Sequence, residues 1–214
     1  MRALREHPDV HVFDEILSPR QKHNLPIGGR DRFLSALGVS THPVAGCKLH
    51  ACQPLEFRAW HHWEEAWTAL EEDKAIKVIV LRRHPVAQFA AIRHAMAEGD
   101  WSEDVDVDAP GVHIDIGEFQ WFQRWNSFAY DVRLCRLREH QIIKVQLERL
   151  LESWEDEFGK VTDFLGAQRV DVAPNIWRRD VQSYVTNWNE LSLSFEVARG
   201  ESLTPLGHEE NEVK

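Results

Sequence analysis

Two adjacent arginines, Arg82 and Arg83, stand where an apolar run gives way to a proline in VIVLRRHPVAQFAAIRHA. Guanidinium groups present planar pairs of N–H donors that fit phosphate or sulfate oxygens. Proline suits the first helical position, where no N–H donor is needed, so Pro85 opens a helix whose N-terminus offers unpaired amides and a positive dipole end. The pattern points to anion binding. The competing reading is a charged turn whose arginines pair with carboxylates on a neighbouring element. Glu15, Lys48 and His50 each follow a short strand-like run. A glutamate or a histidine there can serve as a general base, and a lysine can stabilise developing negative charge. Cys47, His50, Cys52, His61 and His62 invite a metal reading, but their spacing is not that of a zinc knuckle and no second cysteine pair follows.

The elements that must position these groups follow from periodicity. MRALREHP reads as the last turns of a helix stopped by Pro8, and VHVF (10–13) as a short strand ending at Asp14-Glu15. The polar segment with Pro19, Pro26, Gly28 and Gly29 reads as loop, and PVAGCKLHA as a second strand. PLEFRAWHHWEEAWTALEED places Trp60, Trp63, Trp67 and Leu70 at helical spacing, with the tryptophans as core rather than a sugar-stacking platform. AIKVIVL, with four β-branched residues in seven, is the clearest buried strand. The helix from Pro85 puts Pro85, Phe89, Ile92 and Met96 on one face, and the acidic stretch EDVDVDAPG is a loop. A long helix over 117–140 carries Trp121, Trp125, Phe128 and Val132 in register. The strand IIKVQL, one helix holding Leu150 to Leu165, and a last helix around 187–198 complete the chain, with 207–214 as a solvated tail. Strands alternating with helices predict an α/β fold with a mainly parallel sheet flanked by helices, in one domain over 1–214. In such sheets ligands bind beyond the carboxyl ends of the strands, where Glu15, Lys48, His50, Arg82 and Arg83 all fall.

Charge sharpens the anion reading. The chain has 35 Asp and Glu against 25 Lys and Arg, a formal net charge of -10, which disfavours general binding to nucleic acid or to an anionic membrane surface. An anionic ligand must be held by a local cluster working against that field. Three cysteines are too few for a disulfide framework and point to a reducing, cytoplasmic setting. No run of 18 apolar residues is present.

The segment VIVLRRHPVAQFAAIRHAMAEGDW resembles the part of sulfotransferases that binds the 3′-phosphate of 3′-phosphoadenosine-5′-phosphosulfate (PAPS), and in detail the bacterial carbohydrate enzymes. Arg83, Gln88 and Gly99-Asp100-Trp101 match that pattern, while Ala91 stands where the family carries a serine. The departure removes a hydroxyl donor and leaves Arg83, with Arg82 and Arg93, to hold the phosphate. LREHPDVHVFDEIL is similar to the block whose glutamate lies by the acceptor hydroxyl, with Glu15 at the matching position. VAGCKLH, IIKVQLERLLESWEDEFGKVTDFLGA and YVTNWNEL resemble later blocks of the same family, in the same order.

The resemblance implies a P-loop-like fold and sulfonate transfer from PAPS to an acceptor hydroxyl on a carbohydrate or small molecule, without a metal. Glu15 would be the base with His50 as its rival, Lys48 would stabilise the sulfonate, and Arg83 would anchor the 3′-phosphate. The family's strand and Ser/Gly/Thr-rich loop for the 5′-phosphosulfate should precede LREHP, yet the sequence starts at Met1, and Gly28-Gly29 lies in the wrong place to substitute. The expectation is a loop encoded upstream, in preference to a catalytically inactive relative that has lost it. A nucleotide kinase would need Gly-x-x-x-x-Gly-Lys-Ser/Thr, which is absent from the sequence.

Overall fold

Val10–Glu15 (β1) and Val44–Lys48 (β2) pair in parallel, which demands a crossover, and Gly29–Gly38 (α2) lies on it. A computed structural model describes residues 2–15, 28–38, 40–50, 60–98, 111–171 and 185–199 of the chain. Arg2–Arg5 (α1) precedes β1, as the proline stop predicts. After β2 come Trp60–Glu72 (α3), Val78–Arg82 (β3), Pro85–Glu98 (α4), Ile116–Arg136 (α5) and Ile142–Gln146 (β4). Leu147–Glu152 (α6), Trp154–Leu165 (α7) and Trp188–Arg199 (α8) follow. β3 and β4 are also parallel, from Val78 opposite Ile142 to Arg82 opposite Gln146. The architecture is mixed α/β. Among the described residues the strands form two separate parallel pairs rather than one continuous sheet.

The chain gathers into two compact units, Met1–His84 with Trp125–Arg178, and Pro85–Arg124 with Arg179–Lys214. In the first, Phe33 and Ala36 of α2 meet Trp63, Ala66, Trp67, Ala69 and Leu70 of α3, with Leu137. Phe13, Cys47, Val78 and Ile142 pack on this cluster, one from each strand. Gly29 opens α2 because a Cβ there would stand 1.8 Å from the His62 carbonyl oxygen. Its amide donates to Glu65 at 2.8 Å. Gly29 thus serves helix–helix approach. The reading of the segment with Gly28 and Gly29 as loop is corrected, because α2 begins at Gly29 and was not read from the sequence, although Phe33, Ala36 and Leu37 recur at helical spacing.

In the second unit, Val86, Ala87, Phe89 and Ala90 of α4 enclose a cluster with Ile114, Phe119, Val185 and Leu191. The Asn187 side chain bonds both backbone groups of Ile114, accepting its N–H at 3.0 Å and donating to its carbonyl at 2.8 Å.

Three expectations are corrected. The buried face of α4 runs through Val86, Phe89, Ala90 and His94, and Met96 is 49% exposed. On α5 the buried positions are Phe119, Asn126 and Arg133, while Trp121 and Phe128 are 64% and 61% exposed. Large aromatics at helical spacing mark a face, but the facing elements decide which face is covered. The single helix over 150–165 is two, α6 and α7, divided at Ser153, whose φ and ψ of -135° and 61° are not helical. Gly166 then ends α7 at φ 77°, a left-handed conformation that suits glycine, and Ala167 N–H closes the turn on the Thr162 carbonyl at 3.0 Å. No helix among the described residues is long and apolar enough to cross a membrane.

Candidate functional site

All four strands of the first unit end at the same side. His7, buried before β1, donates from Nε2 to the Gln168 carbonyl at 2.8 Å, and its Nδ1 accepts the Asp9 amide at 3.1 Å. These two bonds hold the neutral ring in one tautomer. Lys77, just before β3, donates to the Phe164 carbonyl at 2.7 Å. The starts of β1 and β3 therefore both lie by the C-terminal end of α7, at Gln168 just past it and at Phe164 in its last turn. α3 runs the opposite way. Near its start, Trp63 and Trp67 donate their indole N–H groups to the His50 carbonyl just past β2, at 3.0 and 3.2 Å. Near its end, the Leu70 carbonyl accepts from His140 just before β4, at 2.7 Å. The carboxyl ends of both strand pairs thus lie opposite the α7 terminus.

Five of the six candidate residues belong to that end. The register sets Glu15 directly opposite Lys48, after the irregularity at Phe13 to Glu15. The backbone juxtaposes the expected base and the expected cation, while the Glu15 side chain lies outside the described residues. His50 follows two positions on, its carbonyl clamped by the two tryptophans. Arg82 ends β3, and its guanidinium lies 5.2 Å from the centre of the Tyr130 ring. Tyr130 in turn donates its hydroxyl to the Leu81 carbonyl at 3.3 Å. Arg83 is partly buried and has no ion-pair partner among the described residues. Arg93 belongs to the second unit and pairs with Glu118 at 3.0 Å. Ala91 is on α4, Gln88 likewise, and Gly99-Asp100-Trp101 lies outside the described residues, as do Cys52 and the 207–214 tail.

Sequence reasoning missed two features of this end. The first is Glu148, just past β4, which accepts the His84 amide at 2.7 Å. The second is Arg133, only 7% exposed, whose guanidinium stands 4.6 and 4.8 Å from the Trp63 and Trp67 ring centres. It pairs with Glu64 and, at 3.6 Å, with Glu71. Arg133 backs the tryptophans that clamp His50. Its signal in the sequence was weak, because an arginine amid helix aromatics reads as solvated.

An open cavity of about 510 Å³ in the same unit is lined by Glu71, Lys74, Cys135, Arg136, Arg138 and Glu139. These residues precede β3 and β4, so the cavity belongs to the amino ends of the strands, and none of the candidate residues lines it. Its charges largely answer one another, with Arg136 on Glu71 at 3.4 Å and Lys74 near Glu139 at 3.8 Å. Neither a protein-family model nor a curated protein matches the chain.

Proposed function

We propose that the chain is a PAPS-dependent sulfotransferase whose donor nucleotide is held at the carboxyl end of β3. The observation that carries this reading is Arg83: a partly buried guanidinium past a parallel strand, with no carboxylate partner among the described residues. A cation kept from solvent without a counter-charge is costly, and an incoming phosphate relieves that cost. Arg82, stacked on Tyr130, adds positive potential beside it. The facing register of Glu15 and Lys48 supports a reacting centre at the neighbouring strand pair.

In the reaction, the acceptor hydroxyl oxygen forms a bond to sulfur as the bond from sulfur to the bridging phosphate oxygen breaks. Adenosine 3′,5′-bisphosphate departs with that electron pair, and the hydroxyl proton passes to Glu15. Lys48 offsets negative charge on the moving sulfonate, and His50 is the alternative base. The acceptor class is a carbohydrate or small-molecule alcohol.

Thermal unfolding with adenosine 3′,5′-bisphosphate tests the donor site. At a ligand concentration 100 times Kd the folded state gains about 2.7 kcal/mol, enough to move the midpoint by several degrees. Arg83→Ala abolishes the shift, and Glu15→Gln keeps it while losing transfer of label from PAPS. An unchanged shift in Arg83→Ala rules out the anchor. Binding without transfer to any alcohol acceptor would favour the alternative, a nucleotide-binding relative without turnover.

A further inference from the structure

Glu148 is the second residue of α6, immediately beyond β4, and nothing in the reaction above uses it. One carboxylate oxygen accepts the His84 backbone N–H at 2.7 Å, so the carboxyl group stands one residue from Arg83 in the chain. The other, Oε2, is shielded from solvent and has no hydrogen-bond partner among the described residues. The Tyr130 hydroxyl is bonded to the Leu81 carbonyl, and the Arg82 guanidinium lies over the Tyr130 ring. Arg83 makes no ion pair with Glu148. A shielded carboxylate oxygen lacking a donor is unfavourable, and it is satisfied if a donor arrives with a ligand. Among the described residues, a cation without an ion-pair partner and an acceptor without a donor thus follow the paired ends of β3 and β4.

We propose that Glu148 Oε2 accepts a ligand hydroxyl beside the phosphate held by Arg83, so that this strand end reads a ribonucleotide 3′-phosphate together with its vicinal 2′-hydroxyl. The assignment rests on the nucleotide reading above and adds the sugar it selects. The 2′-hydroxyl sits on the carbon next to the phosphate-bearing one, so its direction is set once the phosphate is anchored. A carboxylate beside a phosphate repels any anion that brings no hydroxyl. Ribose is thereby favoured over deoxyribose, and bare sulfate or phosphate binds poorly. A site built to accept a hydroxyl discriminates strongly against the analogue that lacks one.

Isothermal titration of the full chain with adenosine 3′,5′-bisphosphate and with its 2′-deoxy analogue tests the assignment. The wild-type chain should prefer the ribonucleotide by roughly 10- to 100-fold, the range for a hydrogen bond to a charged group. Glu148→Ala should reduce that preference to about one. Glu148→Gln keeps an oxygen for the His84 amide and offers a neutral acceptor, so the preference narrows but persists. It carries the test if the alanine variant fails to fold. An identical ribose preference in the wild-type chain and in Glu148→Gln or Glu148→Ala overturns the role of Glu148 and leaves Arg83 standing. Failure of the wild-type chain to bind either nucleotide overturns the nucleotide reading and this assignment with it.

Discussion

At the scale of single residues, reactivity is governed by what surrounds a group more than by its type. Cys47 and Cys135 are chemically the same thiol. Cys47 packs against the aromatic cluster beneath β2, and burial pushes its thiol up from 9.0 to about 12. Cys135 is exposed. Iodoacetamide at pH 8 should therefore label Cys135 at least ~10-fold faster than Cys47, because the thiolate is the nucleophile. Peptide mass mapping reads the two sites, and equal labelling of the folded chain would contradict the burial of Cys47. The sign for stability follows. A folded value raised above the unfolded one contributes stability that is fully present below about pH 9 and lost as the pH climbs toward 12. Asp163 behaves in the opposite sense. Its hydrogen bond from Arg169 holds its carboxyl below the usual carboxylate range, so its contribution is present above that range and fades in acid.

At the scale of elements, α3 is the part that positions the site. Its apolar stripe was legible from Trp63, Trp67 and Leu70, and all three are buried. Not legible was that the two indole N–H groups would converge on one carbonyl, nor that Arg133 of α5 would stack on both rings. Both depend on contacts between residues far apart in sequence. Arg133→Ala should destabilise the fold by about 2–3 kcal/mol in urea unfolding, through lost stacking and a stranded Glu64. That figure is below the cost of breaking a fully buried pair because Glu64 and Glu71 keep 35% and 21% of their side-chain exposure. Arg133→Lys should lose less, since a charge remains for Glu64 but the planar fork does not. A cost near zero for Arg133→Ala would show that the stack is incidental.

At the scale of the whole molecule, each compact unit has its own apolar cluster. Leu137 and Ile114, 1% and 0% exposed, belong to the first and second clusters respectively. Truncating either to alanine should cost about 2–5 kcal/mol. Amide exchange followed by mass spectrometry should rise first in the unit that carries the cavity, over 60–72 for Leu137→Ala and over 85–98 for Ile114→Ala. A uniform rise across both units would mean that they open as one. The net charge of -10 acts at this scale too, as a field that any anionic ligand must overcome to reach Arg83.

The sequence by itself determined the α/β alternation, the strands at 10–15, 44–48, 78–82 and 142–146 within a residue or a few, and the placing of Glu15, Lys48 and Arg83 at strand ends. Those are local properties, read from periodicity and from proline and glycine. Only the tertiary structure decided that the strands run as two parallel pairs, that Glu15 faces Lys48, that the buried stripe of α5 avoids Trp121 and Phe128, and that Glu148 reaches the His84 amide across 64 positions of sequence. Each of these joins residues far apart along the chain. Which partner a face or a carboxylate meets is settled by packing, and packing leaves no periodic trace in the residues themselves.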